Sequence, residues 1–557
     1  MDNTIAMPSQ PSEKEDRKGS EASLPLSTST ACNSSSMREF RRASSDDDEP
    51  DWPRTWRAYA CLLGCFFLMF NSWGLVNAYG TWSSYYVGHS LRTVDQLELN
   101  LIGSSQCFLV LLLSNPVGRL LDAGHYRKVI GFGTVFVPLG LFILSAVHPS
   151  SFDAIASFGP IWATQGLVVG LGMAPFFVSS SQVAATWFPK RRGLAVGYVA
   201  CGASIAGVIY PTMLRYLIEA TGFNNAVRYV ATLTALTCIY SFIFATPNPA
   251  HEFHKPESWF KVRTWFDTDA FHNKAWCWFT AAVAFMFFGF YPVFFNLEEW
   301  AAVKGFGIRV VSGAVDASGT EPVQHAVDNK PLQTFWLLTI MNGASTVGRL
   351  TLAQFSDKTG PLNMHIGSQL VCSVLTLVFW SLAGSETDAI AFCVIFGVFS
   401  GMVIGLPPAS VANILSCTYT TPETLPLAKK KLGHWVGMMY SFAAVPALVG
   451  PVVAGHLVTQ YNTYITVQMW SGANLFLSFV CMMVSRWYLP CFDGESFAHH
   501  FSRKQASTKE KLRLGSDATA VGMVSPTTMS QAPTRVPSAT PSREKLDEST
   551  QSPERMV

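Results

Sequence analysis

Charge is scarce in this 557-residue sequence: Asp, Glu, Lys and Arg together make up 14% of it, where a soluble protein carries about 25%. The basic and acidic counts nearly cancel, 39 against 37, for a net charge of +2, so there is no basic excess to hold a phosphate backbone and nucleic acid is not an expected partner. No Cys-x-x-Cys pair and no Cys/His spacing of a metal site occurs. Several of the 12 cysteines, among them Cys61, Cys65, Cys107, Cys238, Cys372 and Cys393, sit inside apolar runs, where a thiol behaves as a small hydrophobe. No phosphate-cradling G-x-x-x-x-G-K-[ST] loop, nucleophile elbow, metal triad or histidine-rich helix is present. An enzyme, an ATP-driven pump, a metal and a cofactor are therefore not expected. The first residues also lack the charged start and apolar stretch of a cleaved signal peptide.

What is abundant is apolar surface: 49% hydrophobic and 13% aromatic residues, with a mean hydropathy of +0.25. Residues 1–50 and 491–557 are Ser-, Lys- and Glu-rich with little apolar periodicity, and both are expected to be disordered tails. Between them lie twelve apolar runs near the length of about 20 residues that a bilayer requires. They cover roughly 56–79, 97–117, 129–148, 155–182, 193–217, 226–246, 275–297, 332–353, 365–384, 388–415, 434–458 and 463–488. Basic residues gather in alternate loops, at Arg119, Arg127 and Lys128, at Lys190–Arg192, at Lys255–Lys274, at Lys358 and at Lys429–Lys431. By the positive-inside tendency those loops and both tails are expected in the cytoplasm. A polar loop at 247–274 divides the chain into expected six-helix bundles at 51–246 and 275–490.

The two halves echo one another. Gly118-Arg119 with Asp122 and Arg127 in the first answers Gly348-Arg349 with Asp357-Lys358 in the second, and the glycine-rich fifth run answers the eleventh. Paired repeats around a central path are the plan of a rocker-type secondary transporter. The fold class expected is an all-α membrane protein of twelve transmembrane helices in two pseudo-symmetric bundles. Its partners would be the lipid bilayer and a small organic solute.

Five segments stand out: Gly74–Gly80 with Tyr85-Tyr86, Gln165-Gly166 with Gly170–Met173, Trp187–Gly197, Asn342–Arg349, and Gly437-Met438 with Gly450–Gly455. Together they resemble the major facilitator superfamily and, within it, the fungal-type monocarboxylate transporter-like family. The resemblance implies alternating access and a central-cavity arginine, which maps to Arg349. It also implies a lysine late in the first helix and an aspartate one turn before that arginine. Asn77 and Ser345 stand at those positions, so lactate-type proton symport is not carried over. A carboxylate remains one candidate substrate, a proton one candidate coupling ion, and a neutral solute or an exported metabolite the alternative. A non-transporting nutrient sensor is the alternative of another class. The plasma membrane is the expected location, an internal membrane the other.

The candidate substrate-binding residues are Arg349, Asn77, Asn342, Ser345 and Gln165, with Gln106 beside them. A guanidinium can hold a carboxylate by paired hydrogen bonds, whereas buried amides also serve simply to bridge helices. Gly118, Asp122, Arg127 and Asp357 are candidate gating residues. Glu298 and Glu299 are expected at a solvated helix end, with a proton acceptor as the alternative. The aromatics Trp73, Phe177, Phe287 and Tyr291 are expected to pack or face lipid, a few of them lining a cavity.

Overall fold

The structure is a computed structural model. It describes residues 53, 55–91, 93–147, 154–188, 192–251, 253, 255, 258–307, 332–419 and 424–489; within these the side chains of 90, 154–157, 192, 263, 352–358, 425–426 and 429 are also outside the description. The two tails, most of the long loop before the eighth run, Lys190 and Arg191 thus fall outside the described residues.

Every element described is helical. The described elements begin with α1 (Trp56–Phe70), α2 (Trp73–Asn77) and α3 (Tyr79–Tyr85). It continues with α4 (Gln96–Asp122), α5 (Tyr126–Leu144), α6 (Phe158–Trp187), α7 (Gly193–Thr221) and α8 (Phe223–Phe244). Two short helices follow, α9 (Val262–Trp265) and α10 (Thr268–His272). Then come α11 (Lys274–Lys304), α12 (Phe335–Thr359), α13 (Pro361–Leu382), α14 (Glu386–Gly405), α15 (Pro407–Thr418), α16 (Leu425–Tyr461) and α17 (Ile465–Trp487). Ten helices among the described residues are long and apolar enough to cross a membrane. Large side chains such as Val135, Leu236, Ile243, Leu382 and Phe476 are exposed on the exterior, as a lipid-facing surface requires.

Two runs expected to be continuous are broken, which corrects the sequence reading. The first stops at Asn71, and the break is held by internal hydrogen bonds. Asn71 Nδ2 donates to Thr237 Oγ1 at 2.8 Å, the Tyr210 hydroxyl donates to Asn71 Oδ1 at 2.8 Å, and the Ser72 hydroxyl donates to the Met173 carbonyl at 3.2 Å. In a membrane interior, backbone leaves the helical ladder only where protein groups replace the lost bonds. The tenth run breaks at Leu406 because Pro407 and Pro408 follow, and proline supplies no backbone donor. The eighth run, α12, is one helix of 25 residues, but it is not among the ten. Asn342, Arg349 and Gln354 dilute its apolar content.

Small residues set the helix crossings. α7 packs along α1 and α12, and α4 along α16. A methyl group added at Gly202 would lie 2.3 Å from the Phe66 carbonyl, and one at Gly348 would lie 1.9 Å from the Val398 carbonyl. Close backbone approach of this kind is how helices associate where burial from water supplies no driving force. The α4–α16 and α7–α12 crossings bring helices of the first half against helices of the second, and the cavity lies between them.

Candidate substrate cavity

α7 presents backbone carbonyls to neighbours on two sides. Asn77 of α2 donates from Nδ2 to the Ala203 carbonyl at 3.4 Å. Arg349 of α12 donates from Nη1 to the Ala200 carbonyl. Asn77 and Arg349 both line a cavity of about 560 Å³. Arg349 is only 6% exposed, and its Nε has no hydrogen-bonding partner among the described residues. No ion pair among the described residues includes it. A buried guanidinium with no counter-charge costs several kcal/mol, so the site favours a ligand that brings negative charge or strong acceptors.

The rest of the wall is mostly aliphatic, glycine and proline, with one cluster of aromatic side chains. Trp73 lies nearly parallel to Tyr291, centroids 5.5 Å apart at 12°, and stacks on Phe287 at 6.1 Å. Phe177 meets Trp73 edge-on at 5.3 Å and Tyr440 at 5.0 Å. Trp73 and Phe177 come from the first half of the chain, Phe287, Tyr291 and Tyr440 from the second. The cavity extends past Gly193, Asn413 and Leu432, toward the end of the helices that carries Lys431.

The opposite end is closed. A methyl group at Gly80 would sit 2.6 Å from the Phe294 carbonyl, and one at Gly455 would sit 2.6 Å from the Gln96 carbonyl. Asn100 Nδ2 donates to the Pro451 carbonyl at 2.9 Å, and the Thr81 hydroxyl donates to Glu298 Oε1. Glu298 and Glu299 are each 2% exposed. This corrects the expectation of a solvated helix end: α3 packs on α11 at this level, and its Thr81 reaches Glu298.

The other predicted substrate-binding residues lie in interfaces rather than on the cavity wall. Asn342 donates to the Leu338 carbonyl of its own helix at 3.0 Å and packs on Gly207. Ser345 is buried against Gly401. Gln165 sits in a wide π-helical turn, Trp162–Val168. Its Oε1 accepts from the Tyr86 hydroxyl at 2.6 Å and its carbonyl from Gln106 Nε2 at 2.7 Å. Gly118 faces Gln182 of α6. Asp122 pairs with Arg119 at 3.4 Å, and Arg127 is exposed. The Asp357 side chain lies outside the described residues.

A strap near the Lys431 end was not anticipated from the sequence. The Trp265 carbonyl accepts from Asn115 Nδ2 of α4 at 2.6 Å and meets His434 Nε2 of α16 at 2.9 Å. Beyond it, Asp267 accepts from Trp435 Nε1 at 2.9 Å and pairs with Lys431 at 3.1 Å. Lys431 also pairs with Asp269. Burial raises the Asp267 carboxyl pKa, but the bonds from Trp435 and Lys431 outweigh burial and hold it below the usual carboxylate range. One short stretch of the central loop thereby ties α4 to α16.

A profile of the Major Facilitator Superfamily matches residues 61–420. The chain belongs to that superfamily. It is 27% identical over 421 residues to an MFS-type transporter of Gibberella zeae, covering 75% of this chain and 84% of that protein. It is also 27% identical over 486 residues to an aspyridones efflux protein of Emericella nidulans, covering 84% and 87%. Among solved structures, a nucleoside transporter matches with a TM-score of 0.53 and 16% identity over 76% of this chain and 98% of its own; that likeness speaks for the fold. The protein is thus a multi-pass membrane transporter with the all-helical major facilitator fold, not an enzyme.

Proposed function

We propose that this transporter exports an amphiphilic organic solute, a secondary metabolite with a flat unsaturated body and one anionic or strongly polar group. The observation that carries this reading is the cavity wall: stacked aromatics from both halves beside one buried arginine that has no counter-charge among the described residues. A volume of about 560 Å³ suits a ligand of drug size better than a short monocarboxylate. Asn77 and Ser345, in place of the lysine and aspartate of the monocarboxylate-type carriers, agree with a different cargo on the same scaffold. Export is supported by the name of the Emericella relative, an efflux protein.

In this reading twelve helices form two bundles, with both tails in the cytoplasm of a plasma-membrane protein. Arg349 and Asn77 hold the polar group, and a proton gradient drives the exchange. The Lys431 end is then the inner mouth, where the Trp265 strap and the Gly118–Asp122 turn close the path. The Glu298 end is the outer gate.

The test is binding to the purified protein by calorimetry, using naphthalene sulfonate, its neutral sulfonamide and lactate. The sulfonate is expected to bind about tenfold or more tightly than the sulfonamide, since a charge-assisted contact contributes roughly 1.5–3 kcal/mol. Lactate should bind weakest. Equal affinity for acid and amide, or preference for lactate, would overturn the assignment.

A further inference from the structure

The outer gate contains an ionisable group that the substrate site does not use. Glu298 comes two helical turns after Tyr291, about 10 Å beyond the cavity wall along α11. Its partner Thr81 comes four residues after the cavity residue Asn77. The Thr81–Glu298 hydrogen bond therefore spans the seam between the halves, directly beyond the cavity's closed end. It cannot survive separation of α3 from α11, because the two backbones touch at Gly80 and Phe294.

Among the described residues, few charges are available to keep this carboxylate ionised while buried. Glu299 faces it from the same helix and repels a second negative charge. Among the described residues Arg215 of α7 is the cation that acts on it, and Arg215 is already paired with Glu219 at 3.8 Å. α3 offers Thr81 and the Tyr79 phenol, whose proton is directed to the Leu99 carbonyl; His89, just beyond, stacks on Tyr85. α12 carries no charged residue before Arg349. Asp95 at the head of α4, Glu386 at the head of α14 and His456 of α16 are exposed. Glu98 is half-buried, as is Tyr464 at the head of α17, and Asp388 caps its own helix.

We propose that Glu298 is a proton-binding site that locks the outer gate, a carboxylic acid while α3 and α11 are packed and a carboxylate once they part. The acid form is neutral and can stay buried with its carbonyl oxygen accepting from Thr81. Ionisation sets a carboxylate beside Glu299 in a dry seam, against an arginine already paired with Glu219, and hydration by gate opening relieves that. Protons arriving from outside close the gate, and their loss favours opening. The proposal rests on the alternating-access reading above, but its test uses no substrate, so the two fail separately.

The experiment is amide hydrogen exchange of the full-length protein in lipid nanodiscs between pH 5 and 8, corrected for intrinsic exchange. The peptides followed cover 79–88 and 291–304. Wild type should lose about tenfold in protection as pH rises through the transition, one unit of proton affinity being a factor of ten. Glu298→Gln should stay protected throughout. Glu299→Gln, lacking the repelling neighbour, should keep the transition but move it to lower pH. Thr81→Val removes a donor that favours the carboxylate and should move it up by about one unit. A pH-independent wild type, a wild-type transition in Glu298→Gln, or an unmoved midpoint in Thr81→Val would each overturn the proposal.

Discussion

Replacing Arg349 by alanine should lower transport about a hundredfold while leaving the protein inserted and at least as stable as the wild type. The two halves of this expectation have one cause. Among the described residues, Arg349 lies buried with a single hydrogen bond, to the Ala200 carbonyl, and an unpartnered Nε. In the ligand-free protein this is an uncompensated charge, and removing one relieves a desolvation cost. In the loaded protein the same guanidinium would supply charge-assisted hydrogen bonds contributing about 1.5–3 kcal/mol, and without them the solute is not held. Lysine should recover only part of the rate, because an ammonium cannot present the planar paired donors. Thermal melting in detergent and flux in vesicles, measured on the same preparation, separate the two effects. A variant that both melts early and fails to transport would make Arg349 a structural residue.

The second large effect is expected at Gly348. A methyl group there would lie 1.9 Å from the Val398 carbonyl, backbone that cannot step aside without moving α14 away from α12. Overpacking of a side chain costs about 1–3 kcal/mol even in a forgiving core, and here the obstacle is a helix backbone. Gly348→Val should therefore yield little monodisperse protein in gel filtration. Gly367 on α13 has open space around it, and Gly367→Val should elute as the wild type does. Equal recovery of the two variants would show that the α12–α14 approach is looser than described.

The general plan was legible in the sequence because it depends on local quantities. Apolar runs near bilayer length, little charge between the tails and a repeated Gly-Arg turn point to a helical carrier without reference to any contact. Arg349 was conspicuous for the same reason: one charge in a long apolar run. The break at Asn71 was not legible, since two polar residues in such a run could equally bridge helices. It became a break because Tyr210, Thr237 and Met173 supply the bonds that the helix gives up. Glu298 and Glu299 looked solvated because they follow an apolar stretch near its end; Glu298 is instead met by Thr81 of α3, more than two hundred residues earlier in the chain. The strap lies in a loop whose polarity matched any cytoplasmic connection, and only the convergence of Asn115 and His434 on one carbonyl distinguishes it. Asn342, Ser345 and Gln165 lie in helix interfaces because polarity alone does not reveal which face of a helix a residue occupies.

The central claim is that an organic anion crosses the membrane through the cavity held by Arg349. Counterflow of labelled naphthalene sulfonate in proteoliposomes tests it most directly, because a sulfonate stays charged and does not leak through the bilayer unaided. Saturable exchange in the wild type, together with its loss in Arg349→Ala, is the result expected. Exchange at the rate of protein-free vesicles, or unchanged exchange in Arg349→Ala, would contradict the account.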